Sequence, residues 1–143
     1  FFNSCEEKGE TPTNPNTVRV DSVTVYNYPM DEGGLEWDNN LTGDSINPDP
    51  YFTISFGTQL VFESDYIDDA DGEPITFSDF ESVIELSPTN LYTFSLYDYD
   101  SLAIDPLMSE LSFDPYLEQY GIISSLFIND PTMPIQMDLS YTY

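Results

Sequence analysis

From residue 17 onward, apolar and polar positions alternate. Val18, Val20, Val23 and Val25 are interleaved with Arg19, Asp21 and Thr24, and the register changes near Ser22. That pattern predicts a half-buried strand carrying a bulge. The same period of two recurs at 51–55 (YFTIS), 59–64 (QLVFES), 75–77, 83–86, 91–99 (LYTFSLYDY), 110–113 and 135–143 (IQMDLSYTY). Clusters of Pro, Gly, Asn and Asp at 31–34, 47–50, 68–74, 87–90 and 130–134 separate these runs. Short strands at this spacing predict an all-β, antiparallel, eight-stranded β-sandwich. One helix is expected at 114–127, where Tyr116, Leu117, Tyr120, Ile123 and Phe127 fall roughly on one face after an Asp114-Pro115 start, with Gly121 weakening the pattern. Residues 1–16 show no apolar periodicity and read as a flexible, acidic tether. The chain therefore divides into a tether, 1–16, and one sandwich domain, 17–143.

Composition narrows the partners. Hydrophobic residues at 40% and aromatic residues at 15% support a folded core despite a net charge of -25. There are 27 acidic residues against two basic ones, Lys8 and Arg19, so no basic patch can form. Nucleic acid is excluded as a partner, and an anionic membrane can be reached by charge only through an intervening cation. The absence of histidine and the single cysteine exclude zinc sites, Cys–His nucleophiles and Ser–His–Asp triads. A glycosidase needs only two carboxylates, but a small sandwich without a recognisable cleft argues against one, so the chain is not expected to be an enzyme. A monomer is expected.

The chemistry concentrates in two aspartate groups at strand ends. The first runs from Trp37-Asp38 through Asp44 to Asp49-Pro50-Tyr51, and the second from Leu96-Tyr97-Asp98-Tyr99-Asp100 to Asp105. Asp98 and Asp100 share one strand face, and carboxylates placed side by side call for a cation. Calcium, which takes six to eight oxygen ligands in flexible geometry, suits such loops better than magnesium. On these residues the chain resembles the C2 domain family over about 17–143. Asp49-Pro50-Tyr51 looks like the segment leaving that family's calcium-binding loop 1, and Leu96-Tyr97-Asp98-Tyr99-Asp100, with Asp105 and Met108, looks like its loop 3. The resemblance implies Asp49, Asp98 and Asp100 as calcium ligands. Loop 1 is longer than usual, so its remaining ligand is Asp38 or Asp44, with Asp38 preferred for its place beside Trp37. Pro106 stands where the family commonly has its last aspartate, which leaves Asp105 one place off, and Ser109 replaces a common glycine. Calcium would tie the two loops together and bridge to an anionic lipid or glycan.

Two further features bear on context. Phe1-Phe2-Asn3-Ser4-Cys5, followed by Glu6-Glu7-Lys8-Gly9-Glu10, resembles the junction of a bacterial lipoprotein, with Cys5 as the lipid-bearing residue. The acidic residues after it resemble export tags of surface lipoproteins in Gram-negative bacteria. That resemblance implies a cell-envelope location, at the outer membrane or cell surface, with the membrane reached through the anchor. Trp37 is a candidate for exposure at the loop 1 rim, as a contact for lipid or glycan. The alternative function is a carbohydrate-binding sandwich that uses exposed aromatics, with calcium structural or absent.

Overall fold

The computed structural model describes residues 14–31, 33–37, 47–72, 74–100 and 104–143. Asp38, Asp44 and Cys5, and most of the tether at 1–16, lie outside these residues. Nine strands occur among the described residues: β1 (Thr17–Val25), β2 (Pro50–Phe56), β3 (Gln59–Glu63), β4 (Ile75–Phe77), β5 (Ile84–Leu86), β6 (Tyr92–Asp98), β7 (Leu107–Phe113), β8 (Ser125–Ile128) and β9 (Ile135–Thr142). One sheet runs β4-β1-β9-β8, with β5 also on β1, and the other runs β3-β2-β6-β7. Every pairing is antiparallel.

All eight expected strands are present, as β1 to β7 and β9, and β8 is a ninth; β4 and β5 share one lane beside β1. Val23 to Val25 pair with β4, whereas Val18 to Val20 pair with β5. Between them, the pairing of β1 with β9 shifts register between Val20 and Ser22, leaving Asp21 as the extra residue. The bulge explains the break, since a strand bent at Asp21 cannot keep one straight neighbour along its whole length. It also resets the faces, so that Val18, Val20, Val23 and Val25 all point inward and are at most 1% exposed. Arg19 and Asp21 flank the kink on the outside and form an ion pair at 2.8 Å.

The two sheets meet over an aromatic and aliphatic core. Phe52 of β2 stacks on Phe94 of β6 at 5.0 Å and meets Phe77 of β4, from the opposite sheet, edge-on at 5.0 Å. Ile54, Leu96, Ile135 and Met137 close the same layer and are fully buried.

The expected helix at 114–127 is not formed. The segment carries a single 3-10 turn at Glu118–Tyr120, and then β8. Gly121 ends the turn with φ of 63°, a left-handed conformation that breaks a helix at little strain only in glycine. Beyond it, Leu126 and Ile128 lean on the core while Phe127 between them stays exposed, so a period of two prevails over the helical spacing.

Candidate functional site

The two aspartate groups meet at one end of the β2-β6-β7 ladder. Pro50 pairs with Asp98, which sets the start of β2 beside the end of β6. Asp98 is 1% exposed, and its Oδ1 accepts the Asp49 backbone N–H at 2.7 Å. The Tyr99 N–H returns to the Asp49 carbonyl at 3.0 Å, and the Asp98 N–H reaches the Pro106 carbonyl at 3.1 Å. Asp49 Oδ1 accepts the N–H of Asp69, which sits at a φ of 54°. Aspartate tolerates this left-handed turn better than most residues. The loop at 68–70 thereby folds against the start of β2, and the Ala70 N–H donates to the Pro48 carbonyl.

Asp105 fastens the other side. Its Oδ1 accepts the Asp100 N–H at 2.8 Å and its Oδ2 accepts the Tyr51 hydroxyl at 2.8 Å. Burial, then the hydrogen bond and charge of Asp105, push the Tyr51 phenol well above the ordinary tyrosine range. Both Asp105 oxygens thus serve protein donors. Asp49, Asp98, Asp100 and Asp105 therefore lie at one pole as two linked pairs. Among the described residues no three acidic side chains stand together as a ready metal-binding group.

Trp37 corrects an expectation. It is 9% exposed, packed into the core, and its Nε1–H donates to the Pro29 carbonyl at 2.8 Å. Its ring gains more from burial than from water once its only donor is satisfied, so it is no rim contact. A stacked pair not anticipated from sequence stands at the acidic pole: Tyr66 and Tyr99 lie 4.5 Å apart and 6° from parallel, both substantially exposed, and the Tyr99 N–H donates to the Asp49 carbonyl. Tyr99 was legible as a neighbour of Asp98 and Asp100. Tyr66 was not, because nothing local ties it to a residue so distant in sequence.

No family model and no curated protein matches the sequence. Solved structures do resemble the fold. The chain is similar to the first of the C2 domains, domain A, of a plant extended synaptotagmin 1, with a TM-score of 0.56 and 12% identity over 91% of this chain and 97% of that one. A further C2 domain structure gives 0.54 and 9% over 89% and 98%. The paired C2 domains, A and B, of extended synaptotagmin 2 give 0.51 and 17% over 92% and 42%. The architecture is that of a C2-domain β-sandwich, as expected from the sequence.

Proposed function

We propose that the chain is a non-catalytic calcium-binding module on the C2 sandwich. Asp49, Asp98 and Asp100 would hold the ion, with Asp38 or Asp44 completing loop 1. The observation that carries the reading is the Asp98 carboxylate. It is nearly fully buried where two acidic loops meet, in a chain with 27 acidic and two basic residues. The donor set fits a hard cation, since it consists of carboxylate and carbonyl oxygens without nitrogen or sulfur ligands. The described carboxylates supply part of a shell, and water with Asp38 or Asp44 would supply the remainder. Lipid phosphate or acidic glycan would be reached through the bound ion. Lipidation at Cys5 would hold the module at the cell envelope, and labelling with a radioactive fatty acid that disappears in Cys5→Ala checks that point.

Thermal unfolding in chelator and across a calcium titration, with magnesium as control, tests the site. At about a hundred times the dissociation constant, bound calcium adds about 2.7 kcal/mol, a rise of several degrees. The expected result is a saturable, calcium-specific rise that is lost in Asp98→Asn with Asp100→Asn. An equal, shallow rise with both cations would reduce the clusters to surface charge. The carbohydrate reading loses Trp37 to the core. It retains the groove on the outer face of β2 and β6, where Tyr51 and Tyr97 stack at 5.4 Å beside Thr53 and Ser95.

A further inference from the structure

A second site lies on the side of the sandwich, away from the sheet faces. β3 and β4 are edge strands of opposite sheets, and between them opens a cavity of about 320 Å³. Its inner wall is aromatic: Phe62, Phe77 and Phe80, with Phe62 and Phe80 edge-to-face at 5.2 Å. Both of these rings line the cavity and are only partly buried. The lining also includes four exposed acids, Glu63, Asp65, Asp79 and Glu81. Tyr66, whose ring is stacked on Tyr99, completes the rim.

Aromatic walls ringed by carboxylates discriminate by charge. An anion is repelled, and a neutral apolar molecule gains the walls without the rim. An ammonium group on an apolar body gains both, because its charge is attracted to the negative ring faces as well as to the carboxylates. The volume stands at the lower end of the range of about 300–1,000 Å³ found for small-molecule sites, which selects a compact ligand. The only basic side chain among the described residues, Arg19, lies on β1 and is bound to Asp21, so it does not compete for this rim. We propose that the cavity between β3 and β4 binds a small organic cation, a primary or quaternary ammonium carried on an apolar group. The site is separate from the calcium reading and does not depend on it.

The probes are phenethylammonium and its neutral analogue 2-phenylethanol. Each is titrated in chelator while backbone amide shifts are followed by NMR. The expected result is saturable shifts confined to 62–67 and 76–82, with the neutral analogue weaker by about tenfold. Asp65→Asn with Glu81→Gln should weaken phenethylammonium by about tenfold. Glu85→Gln with Glu118→Gln removes the same net charge elsewhere and should change the affinity by less than about twofold. Shifts spread over the whole acidic surface, or equal weakening by both double variants, would mean general attraction to a negative protein and would overturn the proposal. Equal affinity for the neutral analogue, or no saturable shift, would overturn it as well. The shift map of the unsubstituted chain stands even if a variant fails to fold.

Discussion

Phe52 joins the two halves of the core, because its ring contacts Phe94 and Phe62 in its own sheet and Phe77 in the other. Phe52→Ala would leave a void at the centre of these rings and is expected to cost about 3–5 kcal/mol in urea unfolding, a large share of a typical domain's stability. Asp138 acts on the surface. Gln136 and Ser22 donate to its carboxylate, and these bonds hold its pKa below the ordinary aspartate value. The folded state thus favours the charged form. Its contribution is complete above the unfolded pKa, near 3.9, and is lost as pH falls through the lower folded value. Asp138→Asn should be less stable than the parent at neutral pH, with the difference narrowing below about pH 4 in chemical unfolding at a series of pH values.

At the scale of elements, the bulge in β1 and the split lane beside it are one feature. β4 and β5 have three residues each and hang on opposite sides of Asp21, while β1 and β9 pair along nearly their whole length. Amide exchange should be fastest in β4 and β5 and slowest in the centre of β1 and β9, since short edge strands open locally before the sheet does. Gly121→Ala should destabilise by about 1–2 kcal/mol in thermal or urea unfolding, because alanine resists the left-handed backbone there. Eight strands and the bulge were legible because alternation within one segment reports its own burial. β8 was not, since in a stretch as short as Ser125–Ile128 the same apolar residues also satisfy a helical spacing. The meeting of Asp49 with Asp98 was legible only through the resemblance to C2 domains, whereas the Tyr51–Asp105 bond and the burial of Trp37 depend on partners that no local pattern specifies.

Across the whole molecule, a net charge of -25 sets the acidic loops against one another. Monovalent salt should raise the melting temperature gradually and without saturation, as the screening length falls to about 10 Å near 0.1 M. That response can be told from calcium binding by its shape and by its persistence in Asp98→Asn with Asp100→Asn. The sandwich also has a polarity of ends. Val25 pairs with Ile75 next to the loop that clasps Asp49, so the carboxylates occupy one pole, whereas Thr17 pairs with Thr142 at the other. Its first and last strands therefore leave side by side, held across by hydrogen bonds perpendicular to their length. Stretched between those two points, the sandwich would unzip one bond at a time and yield to a small force. A load carried at the Thr17 side alone would leave the β1–β9 seam unstressed.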